Sequence, residues 1–167
     1  DYHCGIVIYS TAEVILERCN FTNNKAVDYA DSPYLVYSDY IVVKNSRFFD
    51  NIAGGIVFGR NLTVINSDFF NNGATPIDSI PAQYRIAKNI YIKNSNFIGN
   101  SILPSAGVGF SSAVFVHSLD SLSNVSLEDC NFINNSCDGA TVSISYSNGF
   151  ISNCLFINNS GYGGSGL

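Results

Sequence analysis

The chain has no tryptophan, no methionine, two histidines and only eight lysine and arginine residues among its 167. Those basic residues stand singly, so no stripe exists to neutralise phosphates, and nucleic acid is not an expected partner. Charged residues make up 13% of the chain, about half the share of an ordinary soluble domain. Uncharged polar side chains must therefore keep its surface wet. Unbroken apolar runs extend over only a few residues, far short of the roughly 20 that cross a bilayer as a helix. The five cysteines, Cys4, Cys19, Cys130, Cys137 and Cys154, lack the CxxC or Cys/His spacings of zinc ligands, so neither a structural metal nor another cofactor is expected.

Asparagine, serine and glycine fill the space that charge leaves, and these favour turns and polar ladders over helices. One motif recurs six times: Cys19-Asn20-Phe21-Thr22-Asn23-Asn24, Ser46-Arg47-Phe48-Phe49-Asp50-Asn51, Ser67-Asp68-Phe69-Phe70-Asn71-Asn72, Ser95-Asn96-Phe97-Ile98-Gly99-Asn100, Cys130-Asn131-Phe132-Ile133-Asn134-Asn135 and Cys154-Leu155-Phe156-Ile157-Asn158-Asn159. The shared pattern is a small residue, any residue, Phe, two free positions and Asn. Apolar residues precede the Phe by seven and five positions, as in Ile41/Val43, Leu62/Val64, Ile90/Ile92 and Val125/Leu127. Three before the Phe stands Asn45, Asn66, Asn94, Asp129 or Asn153, with Arg18 in the first copy. That polar residue breaks the alternation, as a corner between two short strands would, and Asn and Asp tolerate the left-handed backbone of such a corner.

Successive Phe residues lie 21 to 35 positions apart, too few for a globular unit, so each repeat must lean on its neighbours. The reading is all-β: a right-handed parallel β-helix of about six coils, each with three short strands. The motif copies fall at residues 14–24, 41–51, 62–72, 90–100, 125–135 and 149–159 of a single unit spanning 1–167. Third strands are expected at residues 34–37, 56–58, 113–116 and 140–144, and residues 103–111 are expected to bulge as a loop. Phe21, Phe48, Phe69, Phe97, Phe132 and Phe156 should form an internal stack, each burial contributing roughly 2 to 3 kcal/mol. The trailing asparagines should form a ladder between coils. The odd cysteine count and the coil-like ends at 4–9 and 161–167 lead us to expect a segment of a longer repeat protein.

Phe-x-x-Asn at this spacing resembles the repeats of the chlamydial polymorphic outer membrane proteins, which pair it with Gly-Gly-Ala-Ile-type motifs. The second motif is represented here by Ala53-Gly54-Gly55-Ile56, with echoes at Gly139-Ala140-Thr141 and Gly163-Gly164-Ser165. Similar repeats occur in large eukaryotic surface proteins with pectin-lyase-like β-helices. The resemblance implies a pectin-lyase-like fold, extracellular or cell-surface display and, by analogy with family members that are adhesins, adhesion.

The candidate sites have plain alternatives. Sequons at Asn20, Asn61, Asn124, Asn134 and Asn158 mark acceptors for N-glycosylation if the source is eukaryotic. Of these, Asn61 and Asn124 are expected just ahead of strands, in exposed loops. Cys130 and Cys154 share a motif slot in consecutive coils, within reach of a disulfide, or simply replace the serines of that slot. His3 and His117 sit beside no Ser or Cys nucleophile in a recognisable hydrolase pattern. Among the acidic residues, Glu128 and Asp129 should point different ways along a strand, Asp28 and Asp31 lie in a loop, and Asp138 belongs to a turn, so no catalytic pair is evident. The expected role is therefore a non-catalytic structural or adhesive segment, a stalk or filament shaft, not an enzyme. Its partners would be neighbouring coils or subunits end to end, or a host or cell-surface protein or glycan. The alternative is a carbohydrate-active enzyme or carbohydrate-binding β-helix, the latter suggested by Tyr29, Tyr37, Tyr40 and Tyr162.

Overall fold

A computed structural model of the chain describes residues 8–25, 34–52, 55–73, 75–78, 88–101, 113–117, 123–137 and 139–161. Six strands carry the apolar pair upstream of each Phe: β1 (Ile8–Glu17), β3 (Tyr34–Lys44), β5 (Gly55–Ile65), β8 (Asn89–Lys93), β11 (Ser123–Glu128) and β15 (Ser147–Ser152). Each is followed by a three-residue strand centred on the Phe: β2 (Asn20–Thr22), β4 (Arg47–Phe49), β6 (Asp68–Phe70), β9 (Asn96–Ile98), β12 (Asn131–Ile133) and β16 (Leu155–Ile157). The remainder are β7 (Thr75–Asp78), β10 (Val114–His117), β14 (Val142–Ser145), β13 (Ser136–Cys137) and β17 (Ser160–Gly161). Every pairing is parallel and joins equivalent positions of successive repeats. The Phe strands run in the order β16-β12-β9-β6-β4-β2, with Phe21 beside Phe48, Phe48 beside Phe69, and so on to Phe156. Such stacking of equivalent strands, one coil above the next, is a parallel β-helix.

Two left-handed corners per coil flank the Phe strand. The first is at Arg18, Asn45, Asn66, Asn94, Asp129 and Asn153, with φ of 48 to 56°. The second is at Asn23, Asp50, Asn71, Gly99, Asn134 and Asn158, with φ of 49 to 67°. Asn and Asp occupy most of these sites because their short polar side chains lower the cost of the left-handed region. At Gly99 a Cβ would meet the Asn71 side-chain oxygen, which would have to move aside.

The third side of the coil departs from the expectation of separate strands. In the first three coils it runs on into the motif strand, so β1, β3 and β5 are 10, 11 and 11 residues long. Around the bend β3 and β5 keep one register, whereas β1 carries one extra residue against β3, a bulge between Ser10 and Glu13. In later coils β7 and β8, and β10 and β11, are numbered as distinct strands, and residues 79–87 and 118–122 between them lie outside the described residues. The strand at Thr75–Asp78 escapes the sequence reading because Pro76 lacks a backbone donor and argues against a strand. The expected loop at 103–111 lies outside the described residues.

Alternation places Val36, Ile41, Val43, Val57, Leu62, Val64, Ile90, Ile92, Val125 and Leu127 inside, all at 2% exposure or less. The six Phe rings stack through the shaft with centroids 4.7 to 5.0 Å apart and planes within 12° of parallel. Successive strands repeat at this same spacing, so the backbone pairing itself sets the ring separation.

Candidate functional site

Two ladders of side-chain hydrogen bonds run beside the ring stack and commit most of the motif's polar residues to structure. In the first, the backbone N–H and the Nδ2 of each trailing Asn both donate to Oδ1 of the next. For Asn72 to Asn100 the distances are 3.0 and 2.9 Å, and the same pattern links Asn24, Asn51, Asn100, Asn135 and Asn159. The second Nδ2 hydrogen turns back to the Phe carbonyl of the preceding motif, as from Asn72 to Phe48 O at 3.0 Å and from Asn100 to Phe69 O at 2.9 Å. Asn51, Asn72, Asn100 and Asn135 are fully buried. Each spends both amide hydrogens and accepts two hydrogen bonds, which is what a buried amide requires.

The second ladder fills the small slot two residues before the Phe. Ser46, Ser67 and Ser95 donate to the carbonyls of Lys44, Ile65 and Lys93 at 2.8 to 2.9 Å. They accept from the backbone N–H of Cys19, Ser46 and Ser67. Cys130 and Cys154 take the same place, their sulfurs 3.1 Å from Glu128 O and 3.3 Å from Ser152 O. The bridge considered for this pair is not formed in this structure; Cys19, Cys130, Cys137 and Cys154 are free thiols. In-register stacking aims both Cα–Cβ bonds the same way, and each sulfur faces a carbonyl as the serine hydroxyls do. Burial pushes the Cys130 thiol up from 9.0 to about 12, the signature of an inert structural cysteine.

The outward face of the motif strands carries a different row. Asn61, Asn89, Asn124 and Asn148 lie in register, each amide donating to the previous Oδ1 at 2.9 to 3.4 Å. Beside it Tyr91 and the exposed Phe150 border a shallow depression of about 340 Å³, lined also by Val125, Ser126 and Gly149. Tyr40, 49% exposed, extends the Asn row by one coil. Tyr29, Tyr162 and the Tyr37 side chain lie outside the described residues, as do His3, Cys4 and the His117 side chain.

Sequons Asn61 and Asn124 fall within β5 and β11, a correction to their expected place in loops. Each strand begins before its sequon: β5 runs unbroken into the motif, and β11 starts at Ser123. Asn20 opens β2, and Asn134 and Asn158 occupy the second left-handed corner, where all three are exposed.

Glu128 and Asp129 were expected to diverge, yet both reach one ammonium: Lys93 Nζ lies 3.1 Å from Glu128 and 3.8 Å from Asp129. The left-handed corner at Asp129 turns its carboxylate back toward its neighbour's. The hydrogen bond that the Lys93 ammonium donates to Glu128, with smaller contributions from nearby charge, raises the Lys93 pKa above its ordinary value. Asp28, Asp31 and Asp138 lie outside the described residues. Among the described residues no three or more His, Cys, Asp or Glu side chains group to hold a metal ion, and no helix is long and apolar enough to cross a membrane.

Compared with known proteins, residues 1–119 match the family described as a right handed beta helix region. No curated protein and no solved structure matches the chain.

Proposed function

The chain belongs to the right-handed β-helix family, and on that premise we propose that it is a non-catalytic structural or adhesive segment of a secreted or cell-surface protein, a stalk or extracellular filament shaft. The observation that carries this reading is the continuity of the ladders. The six motifs stack their Phe, their small residue and their Asn without a break, which makes a uniform rod. Among the described residues Glu128 and Asp129 form an acidic pair that shares a lysine, whereas inverting glycosidases set two carboxyls about 6.5 to 9.5 Å apart around a water. The resemblance to polymorphic outer membrane protein repeats favours display at a surface, and the low charge with abundant amides suits an extracellular rod. A screen of the purified chain on pectin, alginate and related acidic glycans is expected to yield no shortened products. Depolymerisation of any of them, abolished by Glu128→Gln, would reject the proposal in favour of a carbohydrate-active enzyme.

One observation favours a second reading, carbohydrate binding without turnover. The depression beside Asn89, Asn124 and Asn148 sets amide donors and acceptors next to the rings of Tyr91 and Phe150. Sugars are held by this combination of hydrogen bonds and apolar ring faces. A glycan array in which hits disappear with Tyr91→Ala would support it; an array without hits would dismiss it.

A further inference from the structure

The position just after each inward Phe is Thr22, Phe49, Phe70, Ile98, Ile133 and Ile157, one residue per coil in strict register. Because the Phe before it points into the shaft, this residue points out. Phe49 and Ile157 are each 39% exposed, and Phe70, Ile98 and Ile133 are partly exposed. The other outward row of the same strands, Asn20, Arg47, Asp68, Asn96 and Asn131, is polar as a solvated face should be, and only Leu155 ends it differently. Five of the six coils thus place a large apolar side chain on the outer surface where the core gains little from it, along a line about 19 Å long at the strand spacing. A continuous exposed apolar stripe on a soluble rod marks an interaction surface.

We propose that this stripe docks a second copy of the chain, so that two shafts lie side by side along their Phe strands. This rests on the structural reading above and names its partner. The pitch of the stripe selects the occupant. A partner that covers every rung must present apolar groups at about 4.8 Å intervals, and a copy of the same stripe does so without drift. An α-helix advances about 5.4 Å per turn and slips by roughly 2.4 Å from the first of the five rungs to the last. The flanks raise no barrier between two chains of net charge -5. On one side Asp50 is the only charge among Asn23, Asn71, Gly99, Asn134 and Asn158; on the other, Arg47 is paired with Asp68 at 3.3 Å. An anionic membrane would require a basic flank, and the single paired arginine does not supply one. The area is small for a permanent dimer, so the association is weak and concentration-dependent.

Sedimentation velocity across a concentration series of the unglycosylated 167-residue chain tests this, alongside the double variant Ile98→Lys/Ile133→Lys. Both substitutions face outward, and unchanged circular dichroism and thermal unfolding would confirm that the variant folds. The wild type is expected to dimerise reversibly, and the variant to weaken that dimer at least tenfold. A wild type that stays monomeric at every concentration overturns the proposal. So does a dimer that survives the double variant but is lost with Phe150→Lys, which would place the contact on the Asn-ladder face. Glycan depolymerisation by a chain that still dimerises through the stripe would sink the structural role alone.

Discussion

At the scale of single residues, the buried asparagine does what no other side chain of its size can do at this corner. Asn72 donates to Phe48 O and to Asn100 Oδ1, and its own Oδ1 accepts the N–H and Nδ2 of Asn51. Asn72→Ala strands a carbonyl and two donors in a dry interior, and a loss of roughly 4 kcal/mol is expected from the cost of unsatisfied buried groups, read as a fall in the denaturant midpoint. Cys130 makes a second, pH-dependent case. Its thiol stays neutral in the fold up to about 12, against 9.0 for an unburied one. The native state therefore holds the proton where the unfolded chain releases it, so the thiol's contribution is intact below pH 9 and is lost as the pH rises through 9 toward 12. Cys130→Ser keeps the carbonyl bond that Ser95 makes and has no such titration. The stability difference between wild type and variant should stay flat below pH 9 and move in the variant's favour above it. A parallel pair of curves up to pH 12 would refute the assignment.

At the scale of strands and corners, the hydrophobic alternation and the Phe spacing made the coils legible before any coordinates, because both report directly on which side chains face the shaft. The first left-handed corner was legible for the same reason, as a polar residue interrupting an apolar period. The second was not: Phe+2 reads as a free position, although its Asn23, Asp50, Asn71, Gly99, Asn134 and Asn158 are the residue types that tolerate positive φ. The Phe+1 row was missed because an apolar residue beside a core Phe looks like more core, and only strand pleating shows it facing out. The amide row at Asn61, Asn89, Asn124 and Asn148 was hidden by unequal insertions that put its members 28, 35 and 24 positions apart. Ring stacking along the Phe strands makes a graded prediction. Phe97 lies between Phe69 and Phe132, fully buried, so Phe97→Ala should cost about 3 to 5 kcal/mol. Phe156 is only partly buried and stacks on one described ring, Phe132, and Phe156→Ala should cost clearly less. Equal losses in thermal unfolding would mean that the stack does not set the register.

At the scale of the whole molecule, a rod whose coils touch only their neighbours is held together by nearest-neighbour terms, and its stability varies along its length. The described pairings show this plainly. Phe48, Phe69, Phe97 and Phe132 each lie between two strands of their own kind and are fully buried, while Phe21 retains 7% exposure. At the other end Phe150, Leu155 and Ile157 are well exposed, and Asn159, the last described rung of the Asn ladder, still donates back to Phe132 O at 2.9 Å. In the 167-residue chain studied by itself, opening should therefore proceed from the outer described coils inward, each step releasing one ring, one amide rung and one small-slot bond while the remaining coils stay wound. Hydrogen exchange followed by mass spectrometry should find the slowest amides in β4, β6, β9 and β12 and faster ones in β2 and β16. The exchange should be graded by coil, without a single global rate. If all six Phe strands exchanged together, the coils would be one cooperative block, and the transmission of a substitution would not fade with distance along the shaft. If β16 proved as slow as β9, the outer coil would be as tightly held as the centre, and the exposure of Leu155 and Ile157 would not mark a fraying edge.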